Sequence, residues 1–169
     1  GQVPMLDFAY LPTMCNHCDD APCVRAGGDA VRKREDGIVL IDPVKARDRK
    51  DIVAACPYGA IWWNEEKRVP QSWYFDAHLL DRGWKEPRCV QACATAALRS
   101  VQVEDAQMQR IVEAEKLEVL HPEYATRPRV YYKNLYHVTH CFISGTVISQ
   151  AAGVKDCVRG ATVALAKGE

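Results

Sequence analysis

Cys15-Asn16-His17-Cys18-Asp19-Asp20-Ala21-Pro22-Cys23 puts three thiols within nine residues. Farther along, a fourth cysteine stands apart in Ala55-Cys56-Pro57-Tyr58-Gly59-Ala60. Three thiolates this close can grip three corners of one inorganic centre. The fourth corner must come from elsewhere, and a cysteine followed by proline is the usual source in iron–sulfur proteins. Zinc is the rival, because C-x2-C is a common zinc half-site, although zinc sites usually show two such pairs. A secreted disulfide framework fits less well: the cysteines cluster with ligand spacing, and 169 residues can fold without covalent staples.

The bulk composition narrows the function. Apolar residues make up 48% of the chain, enough for a packed core. Lys+Arg and Asp+Glu balance at 22 each, which gives no charge signature for nucleic acid or a membrane surface. No apolar run approaches the roughly 20 residues that span a bilayer. Residues 1–14 lack the charged start and apolar run of a signal peptide, so a cytoplasmic setting is expected. No carboxylate pair, nucleophile elbow or phosphate loop marks a catalytic centre, and no catalytic residue is assigned.

A weak repeat surrounds the cysteines. Cys23 to Val31 and Cys89 to Ala97 align, and the run through Val53 to Ile61 joins them when counted from Ile52, making Gly27, Cys56 and Cys93 equivalent. This is the position of the last cysteine in a bacterial ferredoxin motif, where that cysteine serves the other motif's cluster. Cys56 then joins Cys15, Cys18 and Cys23 as ligands of one [4Fe-4S] cluster. Counting back from Cys56, a second cluster would need thiols at Ala46, Arg49 and Ile52, with Gly27 as the crossing ligand. All four thiols are absent. In the third region Cys89 and Cys93 lack an upstream C-x2-C; the vacancies fall on Trp73 and Asp76. Trp73 is expected to fill the volume a cluster would take, and Asp76 to be an ordinary surface carboxylate. Cys89 and Cys93 read as free thiols, or as metal ligands completed from upstream of Gly1. His17 lies inside the ligand loop, either as a polar filler or as a hydrogen-bond partner of a cluster sulfur. His78, His121, His137 and His140 have no partners at metal spacing.

Periodicity supplies the coarse elements. Gly37–Ile41 and Ala60–Trp63 read as strands, and residues 44–55 as a helix delivering Cys56. Residues 104–118 read as a helix with Met108, Ile111 and Val112 on one face. Arg129–Tyr132 and Gly160–Leu165 read as strands. The expected fold class is α+β: a bacterial-ferredoxin-like iron–sulfur module over 1–100 with degenerate second and third motifs, a helix-and-strand extension over 101–145 that packs on the module or a partner, and a C-terminal β segment over 146–169.

The set C-N-H-C-D-D-A-P-C-V (15–24), D-G-I-V-L-I-D-P (36–43), A-C-P-Y-G-A (55–60) and P-R-C-V-Q-A-C (87–93) resembles the iron–sulfur β subunits of the molybdopterin oxidoreductase (dimethyl sulfoxide reductase) family. Within it, W-N-E-E (63–66), A-H-L-L-D (77–81) and P-R-V-Y-Y-K-N-L-Y (128–136) are most similar to the pyrogallol–phloroglucinol transhydroxylase branch. The resemblance implies a large catalytic partner holding a molybdenum or tungsten pterin, while the β subunit carries electrons and no substrate chemistry. It also implies an upstream four-cysteine motif and a β-sandwich continuing past Asp156-Cys157-Val158-Arg159-Gly160-Ala161. Against it, the chain reads as a pared-down member with one cluster. The alternative is a structural subunit whose cluster mainly stabilises the fold and a catalytic partner.

Overall fold

Proline at the first helical turn and a largely β-branched run after Gly37 shape the early part of the fold. The computed structural model describes residues 9–140, 148–149, 156–157, 162 and 164. They fall into two compact units, Gly1–Val138 and Thr139–Glu169. In the first, helix α1 (Pro22–Gly27) begins on Pro22, whose missing N–H is harmless there. A single 3-10 turn, Gly28–Ala30, leads into strand β1 (Val31–Lys33), which pairs antiparallel with β2 (Val39–Ile41), Val31 opposite Ile41. The reversal turns on Gly37 at φ +86°, and a Cβ there would stand 3.0 Å from the Arg129 side chain. Both the backbone angle and the close approach demand glycine.

The pattern then repeats. Helix α2 (Asp51–Ala54) precedes β3 (Ile61–Asn64), which pairs antiparallel with β4 (Val69–Ser72), Ile61 opposite Ser72. The helix expected over 44–55 is thus only its last turn. Asp42 explains the shortening: its carboxylate accepts from the Val44 and Lys45 amides and holds a turn. Asp48, at φ +64°, then breaks any continuation. Ala30, Val31, Val39, Ala46, Ile52 and Ile61 form one buried cluster together with Cys18, Ala21 and Cys23. Helices α1 and α2 lie side by side in it, each against the strand that follows.

Short helices α3 (Ala77–Leu80) and α4 (Arg88–Gln91) come next, then α5 (Asp105–Glu115). Helix α5 covers the core of the 104–118 expectation, with Met108, Ile111 and Val112 half-buried on one face. It stops where Lys116 turns left-handed at φ +53°. A 3-10 turn spans Pro122–Tyr124, and α6 covers Tyr136–Thr139. The strand expected at Arg129–Tyr132 does not form. Its amides are spent on two different neighbours: Arg129 donates to the Asn16 carbonyl, and Tyr132 makes a lone bridge with Glu118. In the second unit β5 (Ile148–Ser149) pairs antiparallel with β6 (Asp156–Cys157). The strand expected over Gly160–Leu165 lies, Thr162 and Ala164 aside, outside the described residues. The mixture of helices and antiparallel strands is that of an α+β fold.

Candidate metal centre

The loop from Cys15 to Cys18 is buried, although it carries polar side chains. Cys15, Cys18 and Cys23 are each no more than 9% exposed, and His17 is 4% exposed. Cys56, at the end of α2, is half-buried. All four thiols line one pocket, together with Asn16, Val39, Tyr58 and Ile61. Cys89 and Cys93 do not line it. All six of these cysteines are free thiols.

Hydrogen bonds converge on the sulfurs. The Ala60 amide donates to Cys56 Sγ at 3.4 Å. Thr126 hydrogen-bonds the Cys18 thiol and also meets the Tyr58 hydroxyl at 2.7 Å. The segment after Pro122 builds this wall: Asp19 and Asp20 donate their amides to the carbonyls of Arg127 and Thr126. The side-chain oxygen of Asn16 is buried without a partner on the same wall. Burial pushes the Cys15 thiol up to about 12 and the Cys23 thiol up to about 11, and raises Cys18 as well. A pocket that raises its thiols this way disfavours bare thiolates and suits a centre whose positive charge replaces the protons.

Among the described residues no three His, Cys, Asp or Glu side chains close around a single metal ion. Four cysteines lining one pocket are the all-thiolate donor set that an iron–sulfur cluster takes.

His17 sits in the left-handed region at φ +46°. Its Nδ1 accepts the Val39 N–H at 3.0 Å and lies 3.8 Å from Cys15 Sγ. Its ring packs on Trp73 at 5.4 Å and Phe75 at 5.8 Å. The histidine is therefore neither an exposed filler nor a donor through Nδ1. Burial, aided by nearby Lys33, lowers it to about 4 and keeps it neutral.

The second set of positions is packed shut. Ala46 and Ile52 are fully buried in the core. A Cβ on Gly27 would fall 2.2 Å from Val31 Cγ2. Arg49 faces outward, paired with Asp51 and bonded to the Ala26 carbonyl at 2.8 Å.

Asp76 corrects the expectation of a surface carboxylate: it is 6% exposed. Its oxygens accept from Arg88 three times, from the backbone amide at 2.8 Å, Nε at 3.1 Å and Nη2 at 2.6 Å, which holds its carboxyl below the ordinary range. Cys93 repeats the geometry of Cys56. The Ala97 amide donates to its sulfur at 3.2 Å, and Ala96 turns at φ +51° where Gly59 turns at φ +61°. The hydrogen bond with Thr95, then those from backbone amides, holds the Cys93 thiol below its usual value.

Residues 6–103 match the family described as a 4Fe-4S dicluster domain. The chain belongs to this family. It is 45% identical over 99% of its length to the pyrogallol hydroxytransferase small subunit of Pelobacter acidigallici, of which it spans 61%. It is 33% identical over 78% of its length to the dimethylsulfide dehydrogenase beta subunit of Rhodovulum sulfidophilum, spanning 42% of that protein. It is 34% identical over 78% to the chlorate reductase beta subunit of Ideonella dechloratans, again spanning 42%. The chain thus spans roughly half the length of these curated relatives. No helix among the described residues is long and apolar enough to cross a membrane.

Proposed function

We propose that the chain is the electron-transfer iron–sulfur subunit of a transhydroxylase-like molybdopterin (molybdenum or tungsten) oxidoreductase complex. On this reading Cys15, Cys18, Cys23 and Cys56 hold one [4Fe-4S] cluster. The observation that carries it is the single pocket lined by all four thiols, two from the tripod ends, one from its middle and one from the end of α2. When bound, such a cluster accepts and returns one electron. The protein's part is to exclude water and to aim donors at the sulfurs: the Ala60 amide at Cys56 and the Thr126 hydroxyl at Cys18.

The partner on this reading is a large catalytic subunit that holds the pterin. The relative named for pyrogallol favours a hydroxylated aromatic as substrate of the complex. The three-part division at 100 and 145 belongs to the same proposal. Its support is the bonding of residues 126–129 to the cysteine loop, which makes that part of the extension a cover for the module. The free thiols of Cys15, Cys18, Cys23, Cys56, Cys89 and Cys93 suit a reducing, cytoplasmic setting. Cys89 and Cys93 stay thiols, or become ligands through residues other than those described.

Iron and acid-labile sulfide should each come to about four per chain, and Cys56→Ala should abolish both. Zinc in place of iron, or iron kept by that variant, overturns the ligand assignment. The filled second site favours one alternative, a structural subunit, since a lone centre carries electrons only a short way. Redox titration of the assembled complex separates the two: a centre that turns over with substrate is a carrier, and one that stays in a single state is a staple.

A further inference from the structure

Lys33 ends β1 and turns its side chain under the cysteine loop. Its Nζ donates to the carbonyls of His17 at 2.8 Å, Cys18 at 2.9 Å and Gly37 at 3.0 Å. An ammonium has three protons, which these three carbonyls share with the Asp19 carboxylate. The Asp19 carboxylate lies 3.0 Å away as counter-ion, and Arg129 Nε also bonds it at 2.5 Å. The lysine is mostly covered, at 23% exposure. Residues 17, 18 and 37 are themselves buried, so their carbonyls have little water to fall back on.

The site's other charges lie near. Asp36 pairs with Arg34, and Asp105 pairs with Arg129. Lys33 nonetheless is the cation bonded to the peptide between two of the thiols.

We propose that Lys33 is a positioning residue of the cluster loop. It fixes the His17–Cys18 peptide so that Cys15 and Cys18 face the pocket, and it supplies the fixed positive charge that stabilises the reduced state. This rests on the reading of Cys15, Cys18, Cys23 and Cys56 as cluster ligands. One-electron reduction, with dithionite as the donor, adds one negative charge at the pocket, and a cation held beside it in a partly dry site lowers the cost of that charge. Arginine could not replace it, since a planar fork cannot reach three converging carbonyls.

The test is a dithionite titration of the assembled protein, purified anaerobically, read by the paramagnetic signal of the reduced centre beside iron content. Lys33→Met should hold less iron, and its loaded fraction should show a lower midpoint potential than wild type. Asp19→Asn leaves the three carbonyl bonds in place and removes a negative charge, so its midpoint should rise. A loaded Lys33→Met protein with the wild-type midpoint overturns the proposal. So does Asp19→Asn with a midpoint unmoved or lowered, and this variant decides the matter if Lys33→Met holds no iron. A wild-type protein without a reducible iron centre takes down the ligand reading and this proposal together, and is seen before any variant is compared.

Discussion

The backbone N–H of Val39 donates to Nδ1 of His17 at 3.0 Å, joining β2 to the middle of the cysteine loop. The bond is buried, so deleting its acceptor leaves an amide with no water to replace it. His17→Phe keeps a ring against Trp73 and Phe75 but cannot accept. It should cost ~1–3 kcal/mol of stability, the usual penalty for an orphaned buried donor. His17→Asn, whose oxygen can accept and whose backbone tolerates the left-handed region, should recover part of it. Urea unfolding of both variants checks this, and equal midpoints for His17→Phe and wild type would show that the bond contributes nothing.

The packing around Gly27 sets a second expectation. An added Cβ would overlap Val31, and Ile52 closes the other side at 3.7 Å. Gly27→Ala should therefore destabilise by ~1–3 kcal/mol through overpacking, and Gly27→Ala/Val31→Ala should recover much of that loss. Iron content should be the same in both. A single variant as stable as wild type would mean that this stretch yields easily, and that room for a second centre is closer than the packing implies.

These two residues also show what was legible in the sequence. The proposed ligands Cys15, Cys18, Cys23 and Cys56, and the thiol-free positions Gly27, Ala46, Arg49 and Ile52, are spacings along the chain. They could be read because a duplicated motif repeats its register, and the matching turns at Cys56 and Cys93 carry that register into the structure. Lys33 could not be read this way. It is one basic residue in Arg32-Lys33-Arg34, and only the bend of the loop in space brings three carbonyls to its ammonium. Asp76 misled for a similar reason: a lone aspartate is usually solvated, and the arginine that buries it lies twelve residues away. The strand expected at Arg129–Tyr132 failed because β-branched and aromatic residues favour extended chain without saying which neighbour it bonds.

Asp76 gives a pH dependence with a definite sign. Its folded carboxyl sits below the ordinary 3.8 because Arg88 bonds the ionised form. That stabilisation is fully present above pH 4 and is lost as pH falls through the folded value. Asp76→Asn should lower the unfolding midpoint at pH 6 to 7. The gap from wild type should shrink as the pH drops below 4. Thermal unfolding across that range measures it, and a gap that stays constant with pH would show that the variant hurts through packing instead of charge.

The thiols titrate in the opposite sense. Cys15 and Cys23 rise from 9.0 to about 12 and about 11 in the metal-free fold, because burial disfavours their thiolates. Stability from keeping them protonated is present below about 9 and is lost as pH rises toward those values. The metal-free chain should therefore weaken steeply between pH 9 and 11. The iron-loaded chain, whose sulfurs are already deprotonated and paired with metal, should not. Parallel denaturation of the two forms at pH 7, 9 and 10.5 tests this, and the same slope in both would mean that these thiols do not hold the metal.

The exposed aromatics bear on whether the chain stands alone. Trp62 is 53% exposed, Trp84 42% and Tyr74 40%, with Trp62 inside β3 and Tyr74 just past β4. Single exposed rings are ordinary, but large aromatics this open are more often covered by a partner in an assembled protein. Produced by itself, the chain should aggregate or shed its iron, and it should turn over no substrate. Produced with the proposed large subunit it should remain dispersed with iron in place, and Trp62→Ser should weaken that association while leaving the iron content of the assembled fraction unchanged. Sedimentation of the separate and co-produced chains, with iron assayed in each, decides it. A dispersed, iron-loaded monomer that never binds the large subunit would remove both the partner and the need for one.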